Sequence, residues 1–504
     1  MKYRFHHDTL SLSEKICEIN HVTLKDLDVS GFEETQDIAL LNEFKKILLS
    51  YKDKRFFIVG DYDCDGICAT AIMSRLFKDL NISSNFYIPS RSKEGYGLNK
   101  AIVETAAKHG FDVLLCVDNG IVANEALAYA KSLGLVTLVI DHHEYSEAPC
   151  ADAYLHPSLF EERYADMCAS GLCCLLSQAF RYDELSLVYG GLATLADMVK
   201  VFGYNRYLLK KAVALLNEKE FYTISYLTRN KKIDFECLSF DVIPKINAVS
   251  RMDDVLNVNY VVRYLLSDRK EAAAYLSKIE QINTTRKQLT KEMAALAERL
   301  ADPKKDIVIV SSAAFKEGLC GLIANRLMND MGKPVIILSE SDGLLKGSGR
   351  APKGFDLYSI LKKESDLYSA FGGHAQAVGL SIEKNNYETF VERISSEKIE
   401  YEEVYKDVIC YEAAEYAVSL IDELDELKPF GQGFEEPLFA IEDFAYERKY
   451  MIQGIYPKYA VNDALEAICF HTALNNRPFS KIIGNIRKDT YHAGRLSFII
   501  EDLA

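Results

Sequence analysis

The sequence predicts an α/β protein of several domains: a parallel sheet with helical crossovers, a long helix, a second and smaller α/β domain, and a β-barrel at the carboxyl end. Three observations predict this plan. Apolar runs at residues 56–59, 113–117 and 135–140 each lead into an aspartate and are separated by helix-patterned stretches. Residues 271–300 carry few helix breakers, and residues 450–456, 465–471 and 496–501 alternate apolar with polar side chains. A chain of 504 residues and 56.9 kDa exceeds what one hydrophobic core covers, so two to four domains are expected.

In chain order, residues 1–50 read as helical, with Ile38, Leu41, Phe44, Ile47 and Leu48 at helix spacing and no chemistry. The run 56–59 then meets Asp61, Asp63, Asp65 and Gly66, and residues 68–80 read as a helix, so the acids occupy a strand-to-helix turn. In open α/β sheets such turns lie where ligands bind, and three crowded carboxylates repel unless a cation compensates. An EF-hand loop begins the same way, but it needs a preceding helix and a Glu at its twelfth position, where this chain has Ile72.

The pattern recurs. Strand 113–117 runs into Asp118-Asn119-Gly120 and strand 135–140 into Asp141-His142-His143, with helices expected at 100–109 and 124–133. If those helices are right-handed crossovers, the strand ends share one sheet edge and their carboxylates and imidazoles converge. That is a ligand set for Mn²⁺ or Mg²⁺, the histidines favouring Mn²⁺. Read alone, the His pair would be only a polar cluster at a helix start.

Together with a later Leu195-Ala196-Asp197-Met198-Val199, these motifs resemble in kind and order those of the DHH phosphoesterases, and among them the single-strand-specific exonucleases of the RecJ type. The resemblance runs from about residue 50 to about 440 and is expected to continue to the end. It implies that Asp61, Asp63, Asp65, Asp118, His142 and Asp197 hold two ions, with Asp118 bridging and His143 polarising the phosphate or lying just outside the ligands. It further implies that Arg91, in the loop Ser90-Arg91-Ser92-Lys93-Glu94-Gly95-Tyr96-Gly97, contacts a terminal phosphate. Asn247 and Arg251, within Pro244-Lys245-Ile246-Asn247-Ala248-Val249-Ser250-Arg251, are implied to touch substrate.

Residues 306–311 and 334–339 read as strands of the second domain, around a helix at 321–330. Lys346-Gly347-Ser348-Gly349-Arg350 offers amides, a hydroxyl and two cations, a reasonable cradle for phosphate oxygens. Gly372-Gly373-His374 permits close backbone approach and is nearly identical to the family's signature. Four departures stand out: Ser250 for a glycine, His156 for an asparagine before Pro157, no proline after Val199, and Phe315-Lys316-Glu317-Gly318 for a Trp-His-Gly stretch in a chain without tryptophan. At the carboxyl end a small antiparallel barrel, an OB-fold, is expected, with Phe470, Tyr459, Lys458, Arg448 and Arg477 as candidates for holding a single strand, although aromatic side chains in a barrel usually belong to its core.

The expected domains are therefore a helical amino segment (1–50), a DHH metal domain (51–203), a helical connector with the long interdomain helix (204–304), a DHH-associated substrate domain (305–385), an acidic helical linker (386–428) and an OB-fold-like domain (429–504). The 12 cysteines form no Cys-x-x-Cys pair and lie mostly in apolar segments, which suits reduced core thiols and argues against zinc. Polar and acidic groups occupy residues 1–8, where a secretory leader would carry its apolar stretch, and a cytoplasmic, membrane-free protein is expected. A net charge of −15 argues against a protein that coats nucleic acid, but not against an enzyme with a few cations in a groove.

The implied activity is 5′-to-3′ hydrolysis of single-stranded DNA to mononucleotides in repair and recombination. A monomer is expected, with a helicase or single-strand-binding protein as possible partner. The alternatives are a DHH phosphodiesterase of short RNA or cyclic dinucleotides, a pyrophosphatase of the superfamily, and a non-catalytic nucleic-acid-binding factor; the first two would not need the terminal barrel, and the last predicts lost ligands.

Overall fold

The computed structural model describes the chain except residues 1, 8–9, 33–37, 92–93, 96, 229–231, 342, 398–400, 471–479, 490–493 and 504. Ser92, Lys93, Tyr96, Arg477 and the end of the expected 465–471 strand lie outside the described residues. The chain forms two compact units, one of Gly31–Val199 and Tyr207–Glu402, the other of Met1–Ser30, Lys200–Arg206 and Glu403–Ala504.

The amino segment is not wholly helical. Strand β1 (Lys2–His6) precedes the helices Leu12–Ile19 and Ala39–Ser50. Tyr3 and Phe5 alternate with polar neighbours and pack on an apolar cluster around Val408 and Ile483, which is strand periodicity.

Strands β2 (Phe56–Val59), β3 (Ser84–Tyr87), β4 (Val113–Val117), β5 (Val136–Ile140) and β6 (Ala153–Leu155) form a fully parallel sheet in the order β3-β2-β4-β5-β6. β2 and β4 are buried at every position, as strands covered on both faces must be. The helix after β2 runs Cys64–Asp79 and starts four residues before the expected 68, because Asp63 caps it.

Helices occupy most of 203–300. The last, Arg269–Leu300, has 32 residues, about 48 Å at 1.5 Å per residue. It packs against Ile243–Arg251 and also against Cys320–Met331 of the second domain. That domain's sheet has the order β10-β11-β9-β8-β7, built from β7 (Val308–Ser312), β8 (Val335–Ser341), β9 (Leu344–Arg350), β10 (Tyr368–His374) and β11 (Ala377–Glu383). β7 and β8 are parallel and the other neighbours antiparallel. Residues 346–350 are thus strand, not a loop cradle. Their backbone is paired on both sides, so Ser348 and Arg350, two apart on one face, are presented as side chains. The domain also extends past 385, since Phe390 and Ile394 of helix Tyr387–Ser396 are buried in its core.

The remaining strands are β12 (Tyr405–Tyr411), β13 (Leu438–Ile441), β14 (Arg448–Ile452), β15 (Tyr456–Ala460), β16 (Leu465–Cys469), β17 (Ile482–Lys488) and β18 (Leu496–Leu503). With β1 they make one sheet, β1-β12-β13-β17-β18-β16-β15-β14. Two expectations are corrected here. The sheet is mixed, with β1–β12, β12–β13 and β16–β18 parallel. Residues 450–456 are no single strand, because Gln453 and Gly454 take positive φ and reverse the chain. The expected acidic linker also contains β12. Among the described residues no helix is long and apolar enough to cross a membrane.

Candidate metal centre and strand-end site

The acidic turn is built by local packing. Asp63 caps the helix Cys64–Asp79, its Oδ1 accepting from the amides of Asp65 (2.8 Å) and Gly66 (3.2 Å). A Cβ at Gly66 would lie 2.5 Å from the Asp61 carbonyl oxygen, so only glycine lets the turn close. Asp65 points the other way. Its two oxygens accept the Ala169 and Ser170 amides, each at 2.8 Å, at the start of helix Ala169–Phe180, where the helix dipole favours an anion.

Asp118 follows β4 with φ +60, a conformation side chains rarely adopt. Asn119 beside it donates to the Val59 (3.0 Å) and Val117 (2.9 Å) carbonyls, tying the ends of β2 and β4 together. After β5, Asp141 accepts from the Ile121 amide (2.9 Å), the His142 amide (2.8 Å) and His143 Nδ1 (2.7 Å).

His142 Nε2 then lies 3.3 Å from Asp118 Oδ1 and 3.7 Å from both Asp65 Oδ2 and Asp197 Oδ2. Three overlapping sets of ligand atoms, each within 4.8 Å, follow: Asp61, Asp63 and Asp118; Asp65, His142 and Asp197; Asp118, His142 and His143. All seven residues predicted for the centre are therefore brought together.

Electrostatics makes this a site for cations. Burial first, and neighbouring carboxylates second, push Asp61, Asp63 and Asp118 above the usual carboxylate range and Asp197 up to about 8. Asp61 Oδ1 is buried without a hydrogen-bond partner among the described residues. Oxygen donors with one or two imidazoles fit Mn²⁺ or Mg²⁺. Burial opposes the charge of Asp141, but the His143 imidazole and the amides outweigh it and hold the carboxyl below its usual range. Burial likewise opposes protonation of His143, yet Asp141, with Asp61 and Asp197, raises it to about 9.

Beside the centre lies an arginine group. Arg251 is lowered to about 10 by burial and by the charges of Arg91, Arg286 and Arg350, with Asp63 acting in the opposite sense. Among the described residues none of these four forms an ion pair, so the group is poised for an external anion. Arg91 lies over the Tyr62 ring, 5.2 Å from its centroid. Gly321 leaves space by Arg350 and Ser348: a Cβ there would be 3.1 Å from Arg350 Nη2 and 3.5 Å from Ser348 Oγ. Asn247 Oδ1 is buried without a partner among the described residues.

Gly373 takes φ +136, and a Cβ there would meet the Ala377 carbonyl at 2.3 Å, while Gly372 faces open space and His374 is exposed at the hairpin end. Of the departures, Ser250 donates to the Asn247 carbonyl (3.1 Å) within an uninterrupted helix. Phe315 is core, Lys316 pairs with Asp254 (2.6 Å), and Gly318 packs on the Arg251 carbonyl. In the terminal sheet Tyr459 is buried and belongs to the core, Lys458 pairs with Glu466, and Phe470 and Arg448 are exposed. Sequence reasoning singled out the stretches that hold Asn119, Asp141 and His156 without giving those three their own place in the site, and it gave no signal for Arg286.

Residues 55–196 match the DHH family N-terminal domain, 304–399 the DHHA1 domain and 410–502 the RecJ OB domain. The chain is 28% identical over 422 residues to the single-stranded-DNA-specific exonuclease RecJ of Bacillus subtilis, covering 79% of this chain but 53%, about half, of that protein. It is 29% identical over 458 residues to the RecJ of Salmonella typhimurium, covering 82% and 78%. The crystal structure of RecJ with Mn²⁺ from Thermus thermophilus shares the fold, with TM-score 0.84 and 21% identity over all of this chain and 79% of that one. A structure of exonuclease RecJ bound to manganese gives TM-score 0.63 and 25% identity over 72% of this chain and 95% of that one. By its ordered motifs, its parallel-sheet metal domain and the matches of its three parts, the chain belongs to the DHH phosphoesterase superfamily, in the RecJ branch.

Proposed function

We propose that the chain is a metal-dependent exonuclease that hydrolyses single-stranded DNA from its 5′ end, releasing mononucleotides in repair and recombination. One observation carries this reading. A buried cluster of carboxylates and imidazoles lies next to arginines that have no carboxylate partner among the described residues, which suits a phosphodiester held by its terminal phosphate. The relatives named above are exonucleases of single-stranded DNA.

Divalent cations, Mn²⁺ or Mg²⁺, supply Lewis acidity when bound, activating a water and offsetting charge on the transferring phosphoryl group. Asp61, Asp63, Asp65, Asp118, His142 and Asp197 would hold them. His143, kept protonated by Asp141, faces the charge that develops on the phosphate oxygens. Arg91, Arg251, Arg350 and Ser348 grip the strand end, and Asn247, Gly372, Gly373 and His374 line its path. The water oxygen bonds to phosphorus, the bond to the 3′ oxygen breaks, and that oxygen leaves with a proton. The protein works as a cytoplasmic monomer, with a helicase or single-strand-binding protein supplying or guarding its substrate.

The test is incubation of end-labelled single-stranded DNA, duplex DNA and short RNA with Mn²⁺ and then with chelator. Mononucleotides should appear from single-stranded DNA alone and only with metal, and Asp118→Ala should abolish turnover. Release from RNA alone would overturn the substrate, and release under chelator the metal.

A further inference from the structure

His156 stands at the end of β6, outside every cluster of ligand atoms described above, and is only 8% exposed. Its ring is edge-on to Tyr145, with centroids 4.8 Å apart at 81°. Its Nδ1 lies 3.2 Å from the Ser158 amide and 2.8 Å from Ser158 Oγ. A backbone N–H can only donate, so Nδ1 is the bare nitrogen and the proton resides on Nε2. Nε2 lies 3.2 Å from the carbonyl oxygen of His143 and must donate to it.

The residue after His142 is therefore held twice, its imidazole by Asp141 and its carbonyl by His156. His142 rides on the same stretch of backbone as it leaves β5, and its Nε2 meets Asp65, Asp118 and Asp197. We infer that His156 is a positioning residue: its Nε2–H fixes the main chain at 142–143 and so aims His142 into the metal centre.

This inference rests on the metal reading of that centre. Partners behind the ligands characteristically affect metal affinity or activity by about 10–100-fold. His156→Leu fills the space without a donor and should weaken Mn²⁺ binding, measured by calorimetry, by about 10-fold. It should lower kcat by a similar factor and leave KM for single-stranded DNA unchanged. His156→Gln, whose amide can donate to the same carbonyl, should recover most of both.

Leu and Gln variants that bind Mn²⁺ as the wild type does, or that lose affinity equally, would overturn the inference. A wild type that takes up no Mn²⁺ would instead overturn the metal centre. If the Leu variant does not fold, ¹⁵N shifts of histidine-labelled wild type decide: His156, assigned by its disappearance in the Gln variant, must show a bare Nδ1, and a protonated Nδ1 refutes the proposal.

Discussion

Asp61 is 3% exposed, with one carboxylate oxygen buried and without a hydrogen bond, so its charge is costly whenever no cation is present. Asp61→Asn should therefore raise the thermal midpoint of the chelated protein by a few degrees, at about 2–4 °C per kcal/mol, while Mn²⁺ uptake and turnover are lost. The pH dependence has a definite sign. The Asp197 carboxyl is raised by burial, and then by Asp65 and Asp63, from 3.8 to about 8, so its protonated form contributes stability that is complete below 3.8 and lost as pH rises through 8. Melting of the chelated protein should fall across that window, and the increase on adding Mn²⁺ should grow with pH. A midpoint under chelator that is flat with pH would contradict this. The alternating acids were legible because their spacing is local, whereas the role of Asp141 depends on an amide from the neighbouring strand turn and could not be read from a line of letters.

At the scale of elements, Gly318 separates the Arg251 helix from the second domain by less than a methyl group. A Cβ there would lie 2.3 Å from the Arg251 carbonyl oxygen. Gly318→Ala must push that helix end aside and carry Arg251 with it, and misplacement by about 1 Å can cost on the order of 10²-fold in rate. The variant should fold, by circular dichroism, and lose kcat/KM on single-stranded DNA while its Mn²⁺ affinity holds. Strands β2, β4 and β5 were legible because continuous apolar runs ending in aspartate have few other readings. β1 and the reversal at Gln453 were missed. The strand is short and finds its partner about four hundred residues away, and the turn rests on a positive φ that Gln rarely adopts.

Across the whole molecule, the unit formed from residues 1–30, 200–206 and 403–504 is pinned by a buried guanidinium. Arg206, 1% exposed, donates to the carbonyls of Leu27 (3.2 Å), Pro429 (3.0 Å) and Leu427 (2.6 Å). Charged hydrogen bonds contribute about 1.5–3 kcal/mol each, so Arg206→Ala should destabilise this unit by on the order of 3 kcal/mol. Calorimetry should show the loss in one transition, with the Mn²⁺-responsive transition unmoved. Such a centre was not legible, since nothing in the residues around position 206 names carbonyls at 27 and 429 as its acceptors. The parallel pairing of β1 with β12 also orders events on the ribosome. Residues 2–6 have no strand to join until residues 405–409 have emerged, which at about 5–20 residues per second is a wait on the order of tens of seconds. The unit of residues 31–199 and 207–402 can be finished by then, so a bulky fusion ahead of β1 should hinder its pairing with β12 and leave that unit intact.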